Sequence, residues 1–198
     1  WLDIGGGKQL QTAMIKFNST GQSCPTANSI VAFVSADGGK TYGYSGMVAD
    51  AADLPFSQEG PNEHDCALLP STKSDGGRLV GCAMRLDGGD GPISHPYLPF
   101  YWTQSSDSGR SWSKPVAMNG TGCARPRLLL LGDTLLLSGG RMRNEGKQGV
   151  QLWSADVGVG SAFFHRHRGG GGGGGDPVLD SPQWTRHDVS YLHNRGRS

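Results

Sequence analysis

Two copies of one short pattern constrain this chain more than anything else in it. Ser35-Ala36-Asp37-Gly38-Gly39-Lys40-Thr41-Tyr42 and Ser105-Ser106-Asp107-Ser108-Gly109-Arg110-Ser111-Trp112 both read Ser-x-Asp-x-Gly-x-(Ser/Thr)-aromatic. In such a loop the Asp carboxylate and the hydroxyls can hydrogen-bond backbone N–H groups of the same turn. The Gly accepts a positive φ, and the aromatic ring packs under the adjoining strands. Each copy follows an extended run, so each predicts a self-satisfied loop joining two strands. Two copies predict a structural repeat.

Composition points the same way. The 198 residues include 33 Gly and 11 Pro against 35% hydrophobic residues, a balance that favours a turn-rich all-β protein over a helical one. With a net charge of +1 and no long basic run, nothing recommends nucleic acid as a partner. No stretch approaches the apolar length of a membrane span, and no signal peptide opens the chain. Cys24, Cys66, Cys82 and Cys123 are dispersed without a CxxC spacing, so zinc is not expected, and their pairing stays open. The even cysteine count and two glycosylation sequons, Asn18-Ser19-Thr20 and Asn119-Gly120-Thr121, tilt the reading towards a secreted or endomembrane protein. No phosphate-binding glycine loop opens a helix, and no Gly-x-Ser-x-Gly elbow occurs. Asp87-Gly88-Gly89-Asp90-Gly91 lacks the spacing and terminal Glu of a calcium loop and reads as a plain turn. No cofactor is called for.

The repeated pattern resembles the Asp box of the sialidase (neuraminidase) superfamily, whose fold is a six-bladed β-propeller. In that family the box joins the third and fourth strands of a blade on the rim away from the active site, so it marks the fold and not the chemistry. The resemblance implies a structural role for Ser35, Asp37, Gly39, Thr41 and Tyr42, and for Ser105, Asp107, Gly109, Ser111 and Trp112. A damaged third copy is read at Ser154-Ala155-Asp156-Val157-Gly158, with Trp184 as its displaced closing aromatic. The three starts, at 35, 105 and 154, suit one four-stranded blade per repeat. At roughly 40 to 50 residues per blade, fewer than four blades fit. The expectation is one partial propeller domain over 1–198, with blades near 9–54, 63–118 and 123–192. The chain is read as a fragment whose partners include the missing blades of its own full-length protein. An open arc would leave an apolar blade face uncovered.

Strands are expected at Gln9–Phe17, Ser29–Val34 and Thr41–Val48, the later strands of a truncated first blade. Cys66–Leu69, Arg78–Arg85, Pro99–Thr103 and Pro115–Met118 make the second. In the third, Arg127–Leu131 turns at Gly132-Asp133 into Thr134–Ser138, a buried hairpin, followed by Gly149–Trp153 and Gln183–Tyr191. Between the last two lies an insertion at about 159–181, where His165-Arg166-His167-Arg168 precedes seven glycines and predicts a flexible loop.

Sialidases hold the substrate carboxylate with three arginines, whose planar guanidinium groups pair bidentately with it. A Tyr nucleophile is activated by a Glu, with an Asp as acid/base; a neutral phenol avoids the repulsion between a carboxylate and an anionic sugar. The resemblance implies Arg141, after the strand Thr134–Ser138, as a substrate-binding arginine, with Arg143 as the alternative. The family's Glu falls where this chain reads Cys123-Ala124-Arg125-Pro126-Arg127, without an acid; Arg125 is then a candidate carboxylate-binding group. The family's acid/base Asp falls at Ser23 in Ser23-Cys24-Pro25-Thr26-Ala27-Asn28-Ser29-Ile30, and a hydroxyl cannot replace a carboxylic acid of tuned pKa. Asp65 resembles a pocket Asp that contacts the sugar, and is the weak catalytic candidate. Glu63, His64 and Asp65 are either acid/base groups or a polar loop before a strand. No Arg precedes Arg78, and Tyr191 lies too near the third box to be the nucleophile.

Two functions follow. One is an exo-α-sialidase hydrolysing terminal sialic acid from glycans, completed by further blades. The other is a non-catalytic carbohydrate-binding or scaffold propeller that keeps the boxes and lacks the acids. A sialylated or other glycan is the candidate ligand of both.

Overall fold

The protein is represented by a computed structural model, which describes residues 1–16, 27–71, 77–87, 98–140, 150–159, 161 and 181–187. These residues are all-β, with no α-helix and a single 3-10 turn at Ala51–Asp53. Twelve strands form three four-stranded antiparallel sheets, each in sequential order, as in a fragment of a β-propeller. The first sheet is β1 (Leu2–Gly5), β2 (Lys8–Ile15), β3 (Ser29–Ser35) and β4 (Gly43–Ala49). The second is β5 (His64–Leu69), β6 (Leu79–Met84), β7 (Phe100–Ser105) and β8 (Val116–Met118). The third is β9 (Ala124–Leu131), β10 (Thr134–Gly140), β11 (Gln151–Asp156) and β12 (Thr185–His187).

The first sheet has a strand that the sequence reading did not find. Leu2–Gly5 pairs with β2 through a two-residue turn, Gly6-Gly7, in which both residues have positive φ (63° and 71°). That is the backbone of a type I′ hairpin, and two glycines adopt it without steric cost. Four residues are too short a run to announce themselves by periodicity. The first sheet is therefore not truncated.

The sheets stack face to face, and the packing follows strand alternation. Ile4, Leu10, Ile30, Ala32 and Val48 of the first sheet meet Val80, Cys82 and Met84 of the second. The other face of the second sheet presents Ala67, Leu69, Phe100 and Trp102 to Leu135, Leu137 and Trp153 of the third. With a neighbour on each side, β6 is buried at all six residues. Gly81 lies under the ring of Trp102, where a Cβ would come within 2.2 Å of the indole, so only glycine fits there. Strands β1, β5 and β9 lie innermost, β5 in contact with both of the others. Cys66 and Cys82 face each other across β5 and β6, with Cα atoms 4.1 Å apart, and form a disulfide. Cys123 is a buried thiol, pushed up to about 12 by that burial.

The predicted Leu-rich hairpin forms at β9–β10, with Gly132 left-handed at its turn (φ 58°), but it is buried on one face only. Leu135 and Leu137 are fully enclosed, while Leu129 and Leu131 are each 56% exposed. Among the described residues nothing packs on that outer face. Length and apolarity foretold the strands; whether a second sheet covers them is a tertiary matter.

The first two boxes close almost identically. Ser35 Oγ donates to Asp37 (2.8 Å) and accepts from Gly39 N (2.9 Å), and Asp37 accepts from the Thr41 N–H (2.9 Å) and hydroxyl (2.7 Å). Ser105, Asp107, Gly109 and Ser111 repeat these bonds. The rings differ. Trp112 packs against the core between the first and second sheets, whereas Tyr42 is exposed and its hydroxyl meets Gln9 (3.1 Å). The second box also locks two sheets together. Gly46 faces the Arg110 carbonyl so closely that a Cβ would sit 2.3 Å from it, and the Ser45 hydroxyl donates to Gly109 O (3.1 Å).

The third copy does not form this clasp. Ser35 and Ser105 pair with the second residue of the preceding strand, Gln9 and Val80; in the third sheet that register belongs to Ala155, opposite Leu135. Ser154 is one residue out, so its side chain leaves from the other face and bonds His187 Nε2 (2.7 Å). Among the described residues Asp156 accepts only from Gly158 N (2.9 Å). Trp184 nevertheless precedes the fourth strand, as Tyr42 does, and stacks edge-on against Trp102 with centroids 6.3 Å apart.

Candidate functional site

In a sequentially ordered antiparallel sheet, the start of the first strand and the end of the second share one rim. The boxes, at the ends of third strands, lie on the opposite one. The starts of β5 and β9 and the end of β6 thus gather Glu63, His64, Asp65, Arg85 and Arg125 on the rim away from the boxes. The β5–β6 ladder runs on past its strands, with Arg85 N donating to Glu63 O (2.8 Å) and Asn62 N to Arg85 O (3.0 Å). This backbone pairing brings the Glu63 and Arg85 side chains together.

Arg85 is the buried centre, its side chain 5% exposed. One terminal nitrogen reaches Glu63 Oε2 (3.1 Å) and the other Glu59 Oε2 (3.3 Å). A buried cation is tolerable only when paired in this way. Asn62 donates to the same Glu59 oxygen (2.7 Å), and Asp87 pins the loop that carries Glu59. Burial alone would raise Asp87, but hydrogen bonds from the Ser57 hydroxyl and the Glu59 and Gln58 N–H groups outweigh it and hold it below the ordinary carboxylate range.

Glu63 also reaches the third sheet. Its Oε2 accepts from the Arg125 backbone N–H (2.9 Å), and its Oε1 lies 3.6 Å from Arg125 Nε. Arg125 is left-handed (φ 55°) in a bulge, where it and Pro126 oppose Gly139 alone between the Ala124–Gly140 and Arg127–Ser138 pairs. A non-glycine residue there stores backbone strain of about 1–3 kcal/mol, the kind found at functional sites. The consequence is a guanidinium turned outward, 66% exposed.

The acids beside it are engaged. Asp65 Oδ2 accepts from Leu128 N (2.9 Å), tying β5 to β9. His64 Nδ1 lies 2.9 Å from the Asn62 carbonyl and must donate to it, so Nε2 accepts from the Thr12 hydroxyl at 2.9 Å. Thr12 then has no proton left for the Cys66 sulfur 3.7 Å away, and a disulfide sulfur has none to give. Burial pushes His64 below its ordinary value, in keeping with this neutral tautomer.

Of the sequence candidates, Asp65 and Arg125 are brought to one rim, with Glu63 and His64 beside them. Arg141, Arg143, Ser23 and Tyr191 lie outside the described residues, as does most of the insertion at 159–181. Arg85 and Glu59 were missed. A charged residue directly after the wholly apolar run Leu79–Met84 was the available signal for Arg85.

Comparison with protein-family models and with curated proteins finds no match to this chain. Among solved structures, a protein of unknown function from Dyadobacter fermentans DSM 18053 is similar over 78% of this chain and 36% of its own, with a TM-score of 0.57 and 21% identity. The NanB sialidase from Streptococcus pneumoniae, solved with 2-[(3-chlorobenzyl)ammonio]ethanesulfonate, aligns over 68% of this chain and 19% of its own, with a TM-score of 0.44 and 20% identity. The likeness to the first of these is one of fold. The chain spans about a third of the first of these proteins and about a fifth of the second.

Proposed function

We propose that this chain is a carbohydrate-recognising part of a sialidase-like β-propeller, which holds the carboxylate of a sialylated or other acidic glycan on the rim away from the boxes. Arg125 is the carboxylate-binding group, with Arg141 as its partner and Asp65 at the floor. The observation that carries this reading is the state of Glu63. Its two oxygens are occupied by Arg85 and Arg125, so it serves to present a cation. Asp65 is likewise engaged with Leu128. Carboxylates whose oxygens already accept bonds from the fold are poorly placed to reach a substrate as acid or base. The disulfide suits an exported, glycan-facing protein.

The second reading, an exo-α-sialidase, draws on the strained backbone at Arg125 and on Asp65 and Arg141 as candidate pocket residues. One experiment separates the two: titration with sialyllactose, followed by incubation with a fluorogenic sialoside. The expected result is saturable binding, weakened about tenfold by Arg125→Gln, with no release of sialic acid. Release of sialic acid would move the chain to the enzyme reading, and absence of binding would overturn the proposal.

A further inference from the structure

The opposite rim has a different electrostatic character. Between the first and second sheets, beside the second box, lies a cleft of about 670 Å³. Ile4 and Val34 supply apolar lining, and three cations face the space: Lys8 at the start of β2, Arg78 just before β6 and Arg110 within the box. None of the three makes an ion pair among the described residues. The one carboxylate among the described lining residues, Asp107, is consumed by its own clasp, accepting from Ser105, Arg110 and Ser111.

The central cation is held at both ends. Arg78 N donates to Ser108 Oγ (2.9 Å) and its carbonyl accepts from Ser108 N (3.1 Å), which fixes its backbone to the second sheet's box. Its guanidinium lies against the first sheet's hairpin, with Nε and Nη2 each 3.5 Å from where a Cβ on Gly5 would be. The Ser108 hydroxyl accepts from Arg78 and so keeps its own proton to donate. A placed guanidinium, an available hydroxyl and two further cations make an arrangement suited to a group with several acceptor oxygens.

We propose that this cleft binds a small ligand carrying a tetrahedral oxyanion, a phosphate or sulfate monoester, with Arg78 and Arg110 gripping the anion and Lys8 adding charge. The volume falls within the usual range for small-molecule sites and exceeds what the anion alone needs, leaving room for a body the size of a monosaccharide. This site is on the opposite rim from Arg125 and does not depend on the glycan reading above.

The test is isothermal titration of the protein with glucose 6-phosphate, glucose 6-sulfate and glucose at one ionic strength. At least one ester binds at a single site, glucose does not, and the ester that binds identifies the anion. Arg78→Gln and Arg110→Gln each weaken binding about tenfold, while Lys114→Gln, at an exposed cation outside the cleft, leaves it unchanged. Should Arg78→Gln also lower the melting temperature, Lys8→Gln, on an exposed side chain, reports in its place with a smaller loss. Failure of both esters to bind, or equal binding by the Arg78 and Arg110 variants, would overturn the proposal.

Discussion

Asp37 and Asp107 show what one carboxylate does when a loop is built around it. Asp37 accepts from the Thr41 N–H and hydroxyl and from Ser35, and these bonds lower it from an ordinary 3.8 to about 2. At Asp107 partial burial acts the other way, but bonds from Ser111, Ser105 and Arg110 prevail and lower it as well. A carboxyl lowered in the folded state binds fewer protons there than in the unfolded chain. Its stabilisation is whole above about pH 4 and is lost as the pH falls towards 2. His64, lowered by burial, adds a loss of the same sign below its ordinary 6.5. Melting temperature should therefore decline through acid pH, with a distinct fall between pH 4 and 2. That lower fall should flatten in an Asp37→Asn, Asp107→Asn double variant, which is less stable at neutral pH. A double variant matching the parent's acid profile would contradict this account of the loops.

The element that best separates sequence from structure is the β9–β10 hairpin. Leu137 is fully enclosed against the second sheet, whereas Leu129 stands 56% exposed one strand away. Leu137→Ala should cost about 2–5 kcal/mol in denaturant unfolding, and Leu129→Ala should stay within about 0.5–1. Equal costs would mean that the outer face is covered. Strand positions were legible because alternation, β-branched runs and turn glycines are local signals. Register was not. A frame shift of one residue turns Ser154 to the wrong face and leaves the third box unformed, although its letters nearly match. Trp184 keeps its place before the fourth strand because packing on Trp102 does not require that clasp. The short β1 escaped notice since four residues carry little pattern.

At the scale of the molecule, two box loops and a damaged third copy foretold three stacked sheets, because a loop that satisfies itself on one rim leaves both sheet faces free for packing. The candidate site was legible only in part. Asp65 and Arg125 were visible through resemblance, but their meeting depends on β5 lying against β9, which no local signal encodes. Arg85 joins them through the same strand pairing that sets the Cys66–Cys82 disulfide. Fold, disulfide and rim cluster thus stand on one arrangement of strands. The most direct measurement is a set of long-range amide and side-chain NMR contacts in the folded chain. The account predicts Cys82 beside both Cys66 and Thr103, Leu137 beside Leu128 and Trp153, and the Leu128 amide close to Asp65 across the sheet boundary. Helical contacts at Asp37 or Asp107, or β5 and β9 without any contact between them, would contradict it.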